Sequence, residues 1–169
     1  MKVLETERLV LRRLTTEDDA FILELINDPA WLRFIGDRGI RTLEAAREYI
    51  SNNLLAMYER HGFGLYLAEL KGEGVPAGIC GLIKRDSLED VDIGFAFLPQ
   101  FRRRGYGYES AAGVLEYGRK TLGLKRIVAI TSPDNSVSAG LLDKLGFTYE
   151  RTMRLSEDSE EVFLFASEG

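Results

Sequence analysis

The chain carries one cysteine, Cys80, and one histidine, His61, in 169 residues. A lone cysteine forms no internal disulfide, which suits a reducing cytoplasm and sets the expected location there. Metal sites need clustered His, Cys or carboxylate ligands; the sequence has no such cluster, so no metal is expected. Proline is scarce, with four, and no Ser/Pro-rich linker or internal repeat divides the chain. A single domain over residues 1–169 follows from that length. No apolar run approaches the roughly 20 residues of a membrane span. The start, Met1-Lys2-Val3-Leu4-Glu5, lacks the apolar centre of a signal peptide, so no membrane partner is expected. Excess positive charge is missing too: the formal net charge is −5. That speaks against nonspecific nucleic-acid binding, which depends on neutralising phosphates.

What is present is a 45% hydrophobic fraction, enough for a core, and clear periodicity. Arg8 to Leu14 reads as a first strand. Thr15-Thr16-Glu17-Asp18 opens a helix with a capping hydroxyl and early acids, and its apolar face runs to Asn27, with Pro29 ending it. Thr42 caps a second helix through Leu43, Ala46, Ile50, Leu54 and Met57, closed by His61-Gly62. Phe63 to Leu70, Ala77 to Lys84 and Val91 to Leu98 are strand-like and joined by short turns, which favours antiparallel pairing. A helix from about Tyr108 to Leu122 and the β-branched run Arg126 to Ile130 complete a strand–helix–strand crossover, which gives parallel strands. A helix from Ser136 to Leu145 follows. Phe147 to Leu155 and Glu161 to Ala166 then form a hairpin around the acidic turn Glu157 to Glu161. Cys80 falls in an apolar strand and reads as a buried inert thiol.

One segment points to a ligand. Arg102-Arg103-Arg104-Gly105-Tyr106-Gly107 follows a strand and opens a helix. Glycines allow close backbone approach, and free N–H groups of a first helical turn attract phosphate. A dinucleotide fingerprint needs a third glycine where Ser110 stands, and an acid near the end of the next strand, which Arg126 to Thr131 lacks. A P-loop needs Lys-Ser/Thr where Tyr108-Glu109 stands. An ordinary strand-to-helix connection remains open on these residues alone, as does a solvated role for the arginines.

The pattern Arg102-x-x-Gly105-x-Gly107 resembles the pyrophosphate loop of the GNAT family of acyl-CoA N-acyltransferases. Asp92-Ile93-Gly94-Phe95-Ala96-Phe97-Leu98-Pro99 is similar to that family's fourth strand. Asn135-x-x-Ser138 with Leu145-Gly146-Phe147 is similar to its second cofactor motif. Glu5-Thr6-Glu7-Arg8-Leu9-x-Leu11-Arg12 resembles the branch of Rim-type ribosomal-protein acetyltransferases. The resemblance implies an α/β fold with a mixed, splayed central sheet of about seven strands flanked by four helices. It implies acetyl-CoA as co-substrate, with acetyl transfer to a primary amine, either a peptide or protein N-terminus or a small molecule, in a ternary complex.

It also implies roles. Backbone N–H groups of Arg103, Arg104, Gly105, Tyr106, Gly107 and Tyr108 would hold the pyrophosphate beside Arg102. Backbone groups of Phe97 and Leu98 would pair with the pantetheine arm, and a bulge in that strand would aim one N–H at the thioester carbonyl. Asn135 would bind the arm or the loop, and Ser138 would lie near the thiol. The family's usual proton donor is a tyrosine; Leu142 occupies that position here, so Ser138 takes the expected donor role, directly or through water. An attacking amine must be neutral, and Asp92 is the first candidate base, with Glu109 second. Asp92 as a structural ion pair, and Asn135 and Ser138 as helix caps, stand as alternatives on residue type. A noncatalytic acyl-CoA-binding or regulatory module is the rival function. A monomer or homodimer is expected.

Overall fold

The computed structural model describes residues 1–168. Alternating apolar residues build strands β1 (Lys2–Glu5), β2 (Leu9–Arg12), β3 (Leu65–Leu70), β4 (Pro76–Ile83), β5 (Val91–Phe97), β6 (Ile127–Thr131), β7 (Thr148–Arg154) and β8 (Glu161–Ser167). They form one mixed sheet in the order β1-β2-β3-β4-β5-β6-β8-β7. Every pairing is antiparallel except β5 with β6, which is parallel. The helices are α1 (Asp19–Ile26), α2 (Pro29–Phe34), α3 (Leu43–Tyr49), α4 (Ala56–His61), α5 (Tyr106–Lys120) and α6 (Ser136–Lys144). A π-helical stretch, Ile50–Leu55, joins α3 to α4. Counting that rod once gives five helices.

The expected α/β class and mixed sheet hold, with one strand and one helix more than expected. The added strand is β1, four residues that pair with β2 in the register Lys2↔Arg12 to Glu5↔Val10. Such a short edge strand has almost no periodicity of its own. The added helix is α2. Pro29 begins it rather than only stopping α1: a proline at the first helical position loses no hydrogen bond, and Asp28 caps the turn by accepting the Ala30 N–H.

Side-chain alternation gives the sheet two apolar faces. Leu9, Leu11, Tyr66, Leu82, Val91, Ile93 and Ile127 pack with Ala111, Val114, Leu115 and Leu142 of α5 and α6. Leu65, Leu67, Ile79 and Ile83 pack with Ile22, Leu25, Trp31, Ala46 and Ile50 of the first three helices and the π-helical stretch. Each fully buried Leu or Ile contributes about 2 kcal/mol of transfer free energy. Cys80 lies wholly inside the first of these layers, where burial pushes its thiol up to about 12 against a smaller opposing influence of Ser110. No helix among the described residues is long and apolar enough to cross a membrane.

Candidate active site

The site begins where two parallel strands part. The β5–β6 ladder has only two partner pairs, Val91↔Ile127 and Asp92↔Val128. Beyond them β5 continues to Phe97 and β6 to Thr131 with no pairing between them. The other edge of β5 stays zipped to β4 from Ile83↔Asp92 to Gly78↔Phe97 without a register shift. Splaying alone thus exposes a strand edge, and the expected bulge is replaced by a regular ladder.

Strand parity decides which groups face the opening. The Leu98 N–H donates to Ala77 O at 3.0 Å, so it points at β4. Alternation turns the main-chain groups of Phe95 and Phe97 the other way, into the gap. The Leu98 carbonyl is also taken, by the Phe101 N–H at 3.0 Å. The Leu98 N–H is thus directed away from the gap, and its carbonyl already holds one donor, so strand parity favours Phe97 over Leu98 for pairing with an arm there. The Leu98 side chain is buried in the α1–α3 layer. Phe97 keeps its place: its carbonyl receives Arg102 Nε at 3.0 Å, and a carbonyl oxygen has room for a second donor.

After a 3₁₀ turn, Pro99–Phe101, the chain enters the basic loop. Arg103 (φ 62°) and Gly105 (φ 84°) are both left-handed. The first main-chain bond into α5 is Glu109 N–H to Gly105 O, at 3.0 Å. No acceptor within the protein is recorded, among the described residues, for the N–H groups of Arg103, Arg104, Gly105, Tyr106, Gly107 and Tyr108. Six consecutive donors at a helix start, where the macrodipole is positive, make an anion cradle. The side chains of Arg103 and Arg104 are exposed beside it. Arg102 is turned away, with Nη2 2.5 Å from the buried carboxylate of Asp28.

Arg8 braces the loop from below, and sequence reasoning gave it no role. Its Nη1 donates to Arg104 O at 2.9 Å, and its guanidinium lies 4.3 Å from the Tyr106 ring centroid. Its Nε and backbone N–H both reach Glu109, each at 2.7 Å, and the Thr6 hydroxyl adds a bond of 2.5 Å. Burial would raise the Glu109 carboxyl, but Thr6 and Arg8 outweigh it and hold it below the usual range. A carboxylate with its lone pairs so occupied is a tether between the first hairpin and α5. That structural role stands as the alternative to its place as a candidate base. The only available signal was the Glu-Thr-Glu-Arg-Leu opening.

Asp92 stands at the apex of the opening. Its partner Ile83 lies in the α1–α3 layer, so Asp92 shares that face, opposite α5. It is 1% exposed, and Arg85 Nε lies 3.1 Å from its Oδ1. Burial raises its carboxyl to about 6 against the pull of Arg85. Asn135 and Ser138 lie past the end of β6, half-buried at the start of α6. The Asn135 side chain accepts the Ser138 N–H at 3.2 Å, and its amide donates to Ser138 Oγ at 3.2 Å. They do form a helix cap. Because Asn135 fills an acceptor site on Oγ, the Ser138 O–H remains free to donate elsewhere. Leu142 is 1% exposed and packs within the α5–α6 layer.

Helix α2 is tied to both sides of the gap. Asp28 ties it to Arg102 on the β5 side, and Arg33 lies 3.2 Å from Asp134 beyond β6. Among the described residues, Trp31 Nε1 and Thr131 Oγ1 are buried without partners; the sequence marks Trp31, in an aromatic stretch after Pro29, as either a pocket wall or core, and gives Thr131 no role. Among the described residues, no group of three or more His, Cys, Asp or Glu side chains is arranged to hold a metal.

A sheet that splays between a strand and its parallel neighbour, above an anion cradle, is an acyltransferase architecture. Residues 8–148 match the acetyltransferase (GNAT) domain, and the chain belongs to that family of acetyltransferases. It is 30% identical over 154 residues to the uncharacterized N-acetyltransferase YoaA of Bacillus subtilis, covering 90% of this chain and 86% of that protein. A GNAT-family acetyltransferase from Bacillus anthracis superposes with a TM-score of 0.80 at 25% identity, over 99% of this chain and 98% of the other. RimL, a ribosomal L7/L12 alpha-N-protein acetyltransferase crystallised with coenzyme A, shares the fold with a TM-score of 0.72 at 18% identity, over 99% and 97% of the two chains.

Proposed function

We propose that residues 1–169 act as one domain that moves an acetyl group from acetyl-CoA to a primary amine, by direct transfer with both substrates bound. The observation that carries this reading is continuity: the unpaired edge of β5 leads straight into six N–H groups that have no acceptor among the described residues. The donors present fit the cofactor. An extended arm with amide groups suits a free strand edge, and a pyrophosphate suits the cradle and its two exposed arginines. The coenzyme A bound to RimL supports the same assignment.

Acetyl-CoA supplies an activated acetyl thioester; the chain's own residues must manage protons and charge. The Phe95 and Phe97 N–H groups face the gap, where one can donate to a carbonyl oxygen gaining negative charge. An amine with a pKa of about 10 arrives mostly protonated at neutral pH. Asp92, raised to about 6, accepts that proton, through water given its burial. The Ser138 hydroxyl, polarised by Asn135, hydrogen-bonds the departing sulfur. The amine enters from the face bearing α1 and α2, where Asp92 lies. The acceptor is a protein N-terminus or a small amine, and the RimL likeness favours testing peptides first. The protein works as a monomer or homodimer in the cytoplasm, without metal, membrane or nucleic acid.

The test is an acceptor screen monitored by free thiol release, covering N-terminal peptides, polyamines, amino acids and aminoglycosides. Thermal shifts with acetyl-CoA, CoA and NAD accompany it. Stabilisation by acetyl-CoA and thiol release with one acceptor class are expected. Stabilisation by NAD alone would sink the reading. Binding of acetyl-CoA with no turnover across the panel would favour the noncatalytic module.

A further inference from the structure

Arg102 holds two groups that belong to different parts of the site. Its Nε donates to Phe97 O at 3.0 Å, on the open edge of β5, and its Nη2 meets Asp28 at 2.5 Å. Asp28 is 8% exposed and caps α2 through the Ala30 N–H at 3.1 Å. A carboxylate has lone pairs enough for both bonds. Helix α2 has only six residues, too few to be stable alone, so its position is set by its tertiary ties. Those ties run to both arms of the splay: Asp28 to Arg102 after β5, and Arg33 to Asp134 after β6. Beyond Asp92 and Val128 no ladder fixes the spacing of the two arms.

We infer that Arg102 and Asp28 are positioning residues that couple the donor gap to the acceptor-side helix. This rests on the reading that the gap takes CoA. An arm bonded along β5 fixes Phe97 and the residue next to the cradle. Arg102, anchored on Phe97, carries that change to Asp28, and the cap of α2 moves with it. The wall facing the amine then takes its working position only when the gap is filled. Trp31 lies between the two ties, 6% exposed, with its indole N–H unpartnered among the described residues. It is the only tryptophan in the chain, so its emission reports on α2 alone.

The experiment is a CoA titration of the full chain, followed in parallel by calorimetry and by Trp31 emission. In the unaltered protein the two curves should saturate together. In Asp28→Asn the cap is kept, since asparagine also caps well, but the charge facing Arg102 is gone. CoA affinity should then change by less than about tenfold, under 1.4 kcal/mol, while most of the emission change disappears. Arg102→Lys keeps the charge but lacks the planar fork that spans both partners, and should give an intermediate emission change. Circular dichroism of each variant confirms folding. CoA binding with no emission change in the unaltered protein overturns the coupling. An undiminished change in Asp28→Asn overturns the assignment to this pair. Absence of CoA binding by calorimetry rejects the proposed function itself, and this inference with it.

Discussion

Arg85 lies 3.1 Å from Asp92, yet Asp92 holds its proton more tightly than an ordinary aspartate. Burial raises its carboxyl to about 6, and the Arg85 ion pair only partly offsets that. A charge taken out of water recovers its solvation only from complete pairing. The outcome at the apex of the splay is a carboxyl able to exchange protons near neutral pH.

If Asp92 takes the proton of the amine, kcat/KM should rise through about pH 6 on the acid side. Asp92→Asn should remove that limb and cost about 10²- to 10⁴-fold in rate. An unchanged limb in the variant removes Asp92 from the proton path. Stability carries the same signature. The folded value lies above the unfolded one of about 3.9, so the folded state binds the proton more tightly. Its stabilising contribution is complete below about pH 4 and is lost as pH rises through about 6. Urea midpoints across that window should lose this slope in Asp92→Asn.

Gly105 has φ 84°, and a Cβ there would stand 3.1 Å from Arg8 Nη2. Gly105→Ala should cost about 1–2 kcal/mol in backbone strain and misalign the cradle. Calorimetry with acetyl-CoA should show affinity weakened by at least about tenfold. Unchanged affinity would show that the cradle is not the anion site.

Glu109 acts as a tether, so Glu109→Gln should lower stability by about 1–2 kcal/mol, with kcat retained by the folded fraction. Its lowered carboxyl value means that its stabilisation is present at neutral pH and lost as pH falls through the folded value. Thermal melts against pH check this. A large loss of kcat without loss of stability would favour Glu109 as a base.

Leu142→Ala should cost about 2–5 kcal/mol of stability, the range for an emptied core position, and leave the pH profile of kcat unaltered. Ser138→Ala should do the reverse, keeping the Asn135 bond to its backbone N–H while lowering kcat about a hundredfold. Chemical denaturation and steady-state rates on both variants separate the roles. Full activity in Ser138→Ala removes it as the hydrogen-bond donor to sulfur.

The elements with several turns or pairs to repeat their pattern were legible. The alternation of Val91, Ile93 and Phe97 against Asp92, Gly94 and Ala96 gave β5 and its two faces, and both match the packing. Short elements were not legible. Four residues of β1 and six of α2 carry too little periodicity, and Pro29 has the same appearance at a helix start as at a helix end. The basic loop was legible as a glycine-containing strand-to-helix junction, but not which arginine turns away from it. Asp28, 74 positions earlier, draws Arg102 off, and no local pattern records a partner at that separation.

The sequence by itself determined the class of fold, the strand-loop-helix that carries the proposed anion cradle, and the residues proposed to exchange protons. These follow from periodicity, from glycine's freedom at Gly105 and from side-chain chemistry, all of which are local. Only the tertiary structure decided that Phe97 rather than Leu98 faces the gap, that Glu109 is held by Arg8 and Thr6, and that Asp92 is buried enough to titrate high. Each depends on which main-chain edge, charge or layer of apolar atoms lies opposite, and those partners meet only when distant segments pack.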